Sequence, residues 1–406
     1  MDEPLQAAVL RIRPDIVVKG KEHESKFNPE LEVLEQYGGR LLFSSGESSF
    51  SSIDLLRKEF TESNPQTIHV PEDYLKRHSI STPGLMALMQ RFTSLKVCVV
   101  GDLIIDEFIT CEPLGMSQED PTIVVSPLDS TFFLGGAGIV AAHAAGLGGQ
   151  VTFISVSGED AASELALDKL SGAGVRTVLT KDCSRPTILK QRFRSKGKTL
   201  LRVSRLHQHP ISSRLQTTVL ENLEDALHQA DLLVYSDFNY GFLPSSLVER
   251  ASSMALARGV MMVADSQSSS QIVDVSRFQG MKMICPTERE ARLATRNSED
   301  GLVVLAEQLR KQARADNVLL KLGEEGLLIH AENQDNWLTD RIGALNSVPK
   351  DVAGAGDSML IAGAMTLAAG GDIWEAAFLG SLAAAVQVGR VGNTPVQRQE
   401  IMQEFT

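Results

Sequence analysis

The chain has 406 residues, of which 43% are hydrophobic and 22% charged, and its formal net charge is −12. This composition is typical of soluble globular proteins, and the acidic balance argues against a general nucleic-acid or membrane-surface partner. The N-terminus has no apolar signal core, and the uncharged run at 358–371 is too short to span a bilayer. No two of the four cysteines form a Cys-x-x-Cys pair, so we expect reduced thiols in a cytoplasmic protein.

Residues 1–60 carry short pieces of α/β type. Their apolar patterns predict two strands, DIVV (15–18) and RLLF (40–43), and two helices, at 29–37 and 52–60. Residues 61–93 contain three prolines and scattered polar residues. We interpret that stretch as a connector with room for one helix.

From residue 95 onward, apolar β-rich runs alternate with helical stretches such as 213–230 and 247–258. The runs are KVCVV (96–100), VTFISV (151–156), DLLVYS (231–236), VMMVAD (260–265), MKMICP (281–286) and NVLLKLG (317–323). Buried strands that alternate with helices indicate a parallel, doubly wound sheet. Residues 108–133 alternate in polarity without a helix signal, which predicts a small antiparallel sheet inserted after the first strand, able to serve as a lid.

The strongest chemical signal is DVAGAGDS at 351–358, followed by a long helix of small residues. Gly354 and Gly356 let the backbone approach a ligand and leave N–H groups free at a helix N-terminus. Those groups and the helix dipole would stabilise a transferring phosphoryl group, and Asp357 could accept the proton of an attacking hydroxyl. The alternative is a Gly-rich turn in which the aspartate only caps a helix.

Two Gly-rich segments are weaker signals. LGGAGIVAAHAAGLGG (134–149) would bring Gly135 and Gly136 to a ligand, or would simply pack a helix on the sheet, with His143 as a packed histidine. KLGEEG (321–326) suits either a nucleotide contact or a plain hairpin.

Two charged segments also have two interpretations. PTEREA (286–291) follows a strand, so its carboxylates could hold Mg²⁺ through water, or they could be the acidic first turn of a helix. RPTILKQRFR (185–194), together with Arg202 and Arg205, could clamp an anionic substrate or form a solvated strand face. His207 and His209 have no metal-ligand partners nearby in sequence, and we take them as surface residues.

In this order, the segments resemble the ribokinase-like (PfkB-type) sugar kinases over about 95–400, through VVGDLIIDEF, the diglycine, Ser236-Asp237, PTEREA and DVAGAGDS. The resemblance implies a ribokinase-like three-layer α/β/α sandwich with a small β-sheet lid, placed at 94–406. It also implies ATP and Mg²⁺ as cofactors, with K⁺ as a further candidate.

Within that family the chain is most similar to the D-glycero-D-manno-heptose 7-phosphate kinases of ADP-heptose synthesis, through LGMSQEDPTIVV, RPTILKQRF, LLRVSRL, YSDFNYGFL and VGRVGNTPV. Residues 1–60 resemble the C-terminal part of a cytidylyltransferase-like nucleotidyltransferase domain, joined to the kinase by a linker at 61–93. Because the His-x-Gly-His signature is missing, we expect no nucleotidyl transfer from this chain alone; the domain would be truncated or vestigial.

The resemblance assigns roles to individual residues. Asp357 would be the base and Gly354, Ala355 and Gly356 the anion hole. The sugar would contact Asp106, Gly135 and Gly136, with Lys190 and Arg192 holding an anionic group. The nucleotide and its Mg²⁺ would lie near Gly323, Gly326, Thr287 and Glu290, and Asp351 would border a monovalent-cation site.

Five positions depart from the family pattern. Ile139 replaces an Asn near the sugar, Ser204 an Asp and Tyr240 a Lys of the heptose-kinase pattern. Thr287 replaces the Asn of Asn-x-x-Glu, and Lys321 replaces a Thr or Ser before the nucleotide-binding glycine. The changes at the sugar site put the substrate in question, because a polar contact replaced by Ile would remove the recognition of one hydroxyl.

We therefore expect an ATP- and Mg²⁺-dependent kinase of a sugar or sugar phosphate, most similar to the heptose 7-phosphate type, with small molecules as its substrates. A homodimer is expected because relatives often dimerise through the lid. One alternative is a non-catalytic protein that binds a nucleotide or sugar phosphate as scaffold or regulator. Another is one half of a bifunctional kinase/nucleotidyltransferase.

Overall fold

The computed structural model describes residues 5–20, 28–44, 68–267, 274–332 and 337–405. The chain divides into two compact units, residues 1–59 and residues 60–406. None of the helices within the described ranges is long and apolar enough to cross a membrane.

The first unit is a small α/β piece. Its elements are the helices Leu5–Ile12 and Glu30–Glu35 and the strands β1 (Ile16–Gly20) and β2 (Arg40–Ser44). The strands pair in parallel over a core that contains Val9, Val33 and Leu34. Both predicted strands and the predicted helix at 29–37 are confirmed, whereas the predicted helix at 52–60 lies outside the described residues.

The second unit opens with two helices, Glu72–Arg77 and Thr82–Arg91. This differs from the single helix predicted for 61–93. Tyr74, Leu85 and Met89 are buried in the same core as the central sheet, and the Tyr74 hydroxyl donates to the carbonyl of Trp374 at 3.0 Å. These helices are therefore an integral part of the second unit, although their sequence resembles a connector.

A nine-stranded sheet forms the centre of the second unit, in the order β15-β14-β13-β12-β11-β10-β3-β6-β7. Pairing is parallel from β7 to β13, and β14 and β15 are antiparallel at one edge. The hairpin alternative for KLGEEG (321–326) is realised between β13 and β14, whereas β15 was not predicted. The strands are β3 (Lys96–Gly101), β6 (Gln150–Ser157), β7 (Arg176–Lys181), β10 (Leu232–Asp237), β11 (Met261–Ser266), β12 (Met283–Ile284), β13 (Asn317–Lys321), β14 (Leu327–Glu332) and β15 (Trp337–Ile342).

Both faces of this sheet are buried, which explains the continuous apolar runs. In β3, Val97 and Val99 face one core, whereas Cys98 and Val100 face the other. The first core is covered by Gly136–Gly146, Ala161–Gly172, Ala355–Ala368, Ile373–Val388 and Arg398–Gln403, and the second by Ser213–Leu227, Ser245–Ala257, Glu288–Thr295 and Leu302–Ala313. The result is the predicted three-layer α/β/α sandwich.

A second, four-stranded sheet has the order β5-β4-β8-β9, formed by β4 (Leu103–Met116), β5 (Ile123–Gly135), β8 (Ile188–Ser195) and β9 (Lys198–Arg205). The insertion after β3 is confirmed, but the sheet is not wholly antiparallel, because β4 and β8 pair in parallel. The basic strands β8 and β9 thus complete the sheet that the segment 108–133 begins.

Candidate active site

A cavity of about 660 Å³ lies between the four-stranded sheet and the carboxyl ends of the central parallel strands. Open α/β sheets bind their ligands at this end of the strands. The cavity brings together ten residues that the sequence nominated: Asp106, Gly136, Lys190, Arg192, Arg202, Thr287, Glu290, Gly354, Gly356 and Asp357.

The floor of the cavity is the start of the helix Ala355–Ala368. Gly354 precedes the helix at φ +78°, a left-handed conformation that favours glycine. A Cβ on Gly354 would lie 2.3 Å from Oδ1 of Asn393, so a larger residue would displace the Asn393 side chain. The first N–H groups of such a helix have no intrahelical acceptor and are available to an anion. Ala355 lies outside the cavity lining, and its N–H donates at 3.4 Å to the carbonyl of Val352.

Asp357 lies in the first turn of that helix with a side chain that is almost fully buried. Its Oδ1 accepts a hydrogen bond from Nε2 of Gln267 at 2.7 Å. Burial and then the nearby Asp265 carboxylate raise its pKa to about 7, against the opposing effects of Lys321, Gln267 and Lys190. A carboxylate with this pKa can take a proton from a substrate hydroxyl near neutral pH.

A buried ion pair lies beside the helix start. Nζ of Lys321, at the end of β13, is 2.6 Å from Oδ2 of Asp265, at the end of β11. It also lies 3.2 Å from the position that a Cβ on Gly356 would occupy. Burial raises the pKa of Asp265 to about 6, although Lys321 opposes the shift. Burial alone would lower the pKa of Lys321, but the carboxylates of Asp265 and Glu290 outweigh it and raise the pKa.

Glu290 and Thr287 form a capping box at the start of Glu288–Thr295. The Thr287 N–H donates to Oε2 of Glu290 at 2.7 Å, and the Glu290 N–H donates to Oγ1 of Thr287 at 3.3 Å. The helix-turn alternative for PTEREA is therefore realised, while both residues still line the cavity.

Asp106 forms the opposite wall, on β4. It is buried, and a Cβ on Gly135 would lie 2.3 Å from its Oδ2, so Gly135 makes room for the carboxylate from outside the cavity lining. Burial raises the pKa of Asp106, and Arg192 and Lys190 oppose this shift. The guanidinium of Arg192 reaches Oδ1 of Asp106 at 3.5 Å.

Three basic side chains project into the cavity from β8 and β9: Lys190, Arg192 and Arg202. Arg192 and Arg202 are directly opposite each other in the register of the two strands. Nζ of Lys190 lies over the rings of Phe238 and Tyr240, at 5.3 and 5.0 Å from their centroids. Arg205, also nominated for the clamp, is an odd number of residues from Arg202 and lies on the other face of the strand.

A second cavity of about 700 Å³ adjoins the first, and Thr287 and Lys321 line both. Gly323 lines the second cavity. Gly326 instead packs against backbone, because a Cβ there would lie 2.1 Å from the carbonyl oxygen of Ile342. The KLGEEG turn thus joins β13 and β14 as a hairpin and also borders a cavity.

A sequence model described as pfkB family carbohydrate kinase matches residues 94–399. The chain belongs to this family. The family consists of carbohydrate kinases, as its description states.

Curated relatives of this pfkB kinase include proteins named Bifunctional protein HldE. The protein from Helicobacter hepaticus is 32% identical over 316 residues, which cover 76% of this chain and 64% of the relative. The protein from Desulfatibacillum aliphaticivorans is 31% identical over 314 residues, which cover 76% of this chain and 63% of the relative. The chain thus spans less than two thirds of the length of these relatives.

Solved structures show the same fold. Ribokinase from Arabidopsis thaliana, complexed with ribose and ATP, superposes with a TM-score of 0.61 at 19% identity, over 77% of this chain and 99% of that one. Phosphofructokinase-2 from Escherichia coli, in complex with substrates and products, superposes with a TM-score of 0.62 at 17% identity, over 77% of this chain and 98% of that one. The likeness to both concerns the fold.

Two further nominated residues have structural partners in this pfkB kinase. The carboxylate of Asp351 accepts from the N–H of Ala353 at 3.1 Å and of Gly392 at 3.2 Å, so it ties two loops together; a K⁺ site there stays a prediction. His143 is packed as predicted: Val396 donates to its Nδ1 at 2.9 Å, and burial lowers its pKa to about 3.

Four site residues were missed by the sequence analysis: Asp265, Gln267, Asn393 and Asp102. Asp265 ends a predicted strand on the ligand-binding edge, a signal that could have found it. Asp102 accepts from the N–H of Phe238 at 2.8 Å and of Tyr240 at 3.4 Å, which fixes the loop carrying both aromatic rings. Nothing in the sequence around Gln267 or Asn393 pointed to Asp357 or Gly354.

Of the five departures, Ser204, Tyr240, Thr287 and Lys321 line the main cavity. Ile139 is fully buried in the core, in the helix Gly136–Gly146.

Proposed function

We propose that this pfkB kinase phosphorylates a sugar that already carries a phosphate, of the heptose 7-phosphate type. The observation that carries the substrate class is the pair Arg192 and Arg202, which are opposite each other on β8 and β9. Like charges at opposite positions of a sheet repel. An anion between them would replace this repulsion with charge-assisted hydrogen bonds, and Lys190 on the same face adds a third cation.

The expected chemistry is in-line transfer of the γ-phosphoryl group of ATP. Asp357 accepts the proton of the attacking hydroxyl, and the N–H groups at the helix start, next to Gly354 and Gly356, hold the negative charge of the phosphoryl oxygens. The four-stranded sheet over the cavity would keep water away from the γ-phosphate.

The residues present suit a Mg²⁺ ion held mainly through water. Asp265 and Glu290 both act electrostatically on Lys321 beside the phosphate region, and Oδ1 of Asp265 is buried with no hydrogen-bond partner among the described residues. Within the described ranges no three acidic, His or Cys side chains converge on one point, which is compatible with an ion that keeps several waters. When bound, the ion would neutralise phosphate charge.

The test is ADP release from Mg-ATP with heptoses, hexoses and pentoses and their phosphates. We expect turnover with a phosphorylated sugar, and Arg202→Gln should raise KM for it roughly tenfold or more while changing kcat little. Arg205→Gln, on the opposite face of the same strand, serves as the matched control. Turnover only with unphosphorylated sugars would refute the substrate class. Retained ATP binding without any turnover would favour the non-catalytic scaffold.

A second candidate is that this chain supplies the kinase part of a bifunctional protein. The curated relatives carry that word in their names and extend beyond the length matched here, and the first unit is a separate small α/β piece. The length of the open reading frame that encodes this chain tests the candidate, since we expect no nucleotidyl transfer from the chain alone. A nucleotidyltransferase domain in the same reading frame would support it, and a reading frame limited to these 406 residues would refute it.

We also propose a homodimer formed through the four-stranded sheet. Large apolar side chains are exposed on this sheet, among them Leu114 at 64%, Met116 at 61% and Leu201 at 56%. Exposed apolar patches of this kind are typical of interaction surfaces. Light scattering at micromolar concentration should give twice the chain mass, and a monomer mass would refute the proposal.

A further inference from the structure

Lys321 occupies the passage between the two cavities. It ends β13 and lines both the cavity that holds Asp357 and the adjoining cavity that holds Gly323. A nucleotide in the adjoining cavity that donates a phosphoryl group toward Asp357 must pass its terminal phosphates by this residue.

The ammonium group of Lys321 is held in a fixed position. Its single hydrogen bond to the described residues goes to Oδ2 of Asp265 at 2.6 Å, and the side chain is only 12% exposed. An ammonium group has three N–H donors, so two are left for a ligand. Gly356, at the helix start, places no side chain between this ammonium and the helix N–H groups, since a Cβ there would lie 3.2 Å from Nζ.

We propose that the Lys321 ammonium binds the terminal phosphates of the nucleotide directly, as a cation built into the chain at the junction of the two cavities. The inference rests on the proposed function, because it needs ATP as the phosphoryl donor. Lys321 and the helix start flank one region, so that phosphate oxygens would receive N–H donors from two sides.

A simpler alternative is that Lys321 only neutralises Asp265 inside the fold. The two roles differ in what happens when both charges are removed together. If Lys321 acts only on Asp265, the double variant Lys321→Met/Asp265→Asn should bind ATP normally. If Lys321 binds phosphate, the double variant should bind ATP poorly, although it removes both charges of the Lys321–Asp265 pair together.

The experiment measures ATP binding to the full chain by titration calorimetry, in EDTA and again with Mg²⁺. In EDTA we expect Lys321→Met and the double variant to bind ATP at least tenfold more weakly than the unaltered protein, and Lys321→Arg to stay within a few-fold. With Mg²⁺ the loss should be smaller, because the ion neutralises part of the phosphate charge. Lys282→Met removes a lysine that pairs with Asp316 at 2.8 Å on the surface, and its ATP affinity should be unchanged.

The outcomes separate the two proposals. ATP affinity in EDTA that is equal in the double variant and the unaltered protein would overturn the role of Lys321 and leave the kinase standing. An unaltered protein that binds no ATP, with or without Mg²⁺, would overturn both. Circular dichroism of each variant before titration shows whether it is folded, and the double variant covers the case in which Lys321→Met alone does not fold.

Discussion

The ionised side chain of Asp357, the proposed base, should lower the free energy of unfolding of this protein. Burial raises its pKa from an ordinary 3.8 to about 7, so the folded chain holds a proton that the unfolded chain releases. Because the folded pKa is the higher one, the stability loss begins near pH 4, grows as pH rises, and is complete above pH 7. At 1.36 kcal/mol per pH unit, the upper bound is about 2 kcal/mol at pH 5 and about 4 kcal/mol at pH 8.

Asp357→Asn removes the charge, keeps the side-chain size and retains an oxygen that can accept from Gln267. We expect the variant to melt several degrees above the unaltered protein at pH 8, at about 2 °C per kcal/mol for a chain of this size, and to gain much less at pH 5. Its ADP release should fall by roughly 10²- to 10⁴-fold, since it lacks a base.

Thermal unfolding at the two pH values, followed by circular dichroism, measures the first effect, and a coupled ADP assay measures the second. Asp316→Asn is the control, because this side chain is 57% exposed and should change neither the melting temperature nor the rate appreciably. A variant that melts at the same temperature as the unaltered protein at pH 8, or gains equally at both pH values, would refute the burial argument.

Two further predictions concern single hydrogen bonds. Gln267→Leu removes the donor that lies 2.7 Å from Asp357 and helps to keep the pKa of Asp357 down. A hydrogen bond of about 1 kcal/mol corresponds to roughly a fivefold change in ionisation, so the midpoint of kcat against pH should move to higher pH. An unmoved midpoint would count against the contact. Tyr74→Phe removes the part-buried hydrogen bond to the carbonyl of Trp374 and should lower the free energy of unfolding by about 1 kcal/mol, measured in urea. No change would mean that the helix Glu72–Arg77 adds little to the stability of the second unit.

The strands of the central sheet were predictable because both of their faces are buried. A strand such as β3 must be apolar at every position, and such runs stand out from the helices between them. The exception is β12, which shrinks to Met283–Ile284 although the run MKMICP is longer. Its burial shows in the sequence, whereas the extent of its pairing depends on the neighbouring strands β11 and β13.

Only one of the two helices at 72–91 was predicted, because proline is common both in connectors and at helix N-termini. Pro83 lies in the first turn of the helix Thr82–Arg91, where Ser81 caps the N-terminus by accepting from Gly84 at 3.2 Å. Proline fits that position because its missing N–H would have no partner there. Pro71 likewise stands just before Glu72–Arg77. Three prolines in a polar stretch suggested a connector, whereas two of them mark helix starts.

The candidate site was predictable where one segment carries it and unpredictable where the fold assembles it. DVAGAGDS contains the proposed base and the helix start within a few residues, so one sequence segment points to both. Asp265 and Lys321 lie 56 residues apart and meet only because β11 and β13 end at the same edge of the sheet. The partner of Gly354 is Asn393, in a distant loop. Such pairs carry no local spacing that a sequence pattern could show.

The positions that depart from the family pattern favour altered recognition over lost catalysis. Asp357, the proposed base, lies in the first turn of the helix whose N–H groups we assign to charge stabilisation. Ser204 and Tyr240 line the wall opposite, where the sugar would lie, and there a lost charge changes which group is bound. Ile139, buried in the core, offers no hydrogen bond to any hydroxyl.

At the helix start, the departure from the family pattern adds a charge instead of removing one. Lys321 places a fixed positive charge there. A protein that had lost the need to bind phosphates would gain nothing from holding an ammonium group at the junction of its two cavities. The removed groups lie where a sugar is recognised, and the added one lies where a phosphate is held. That division is what a change of sugar specificity in a working kinase would produce.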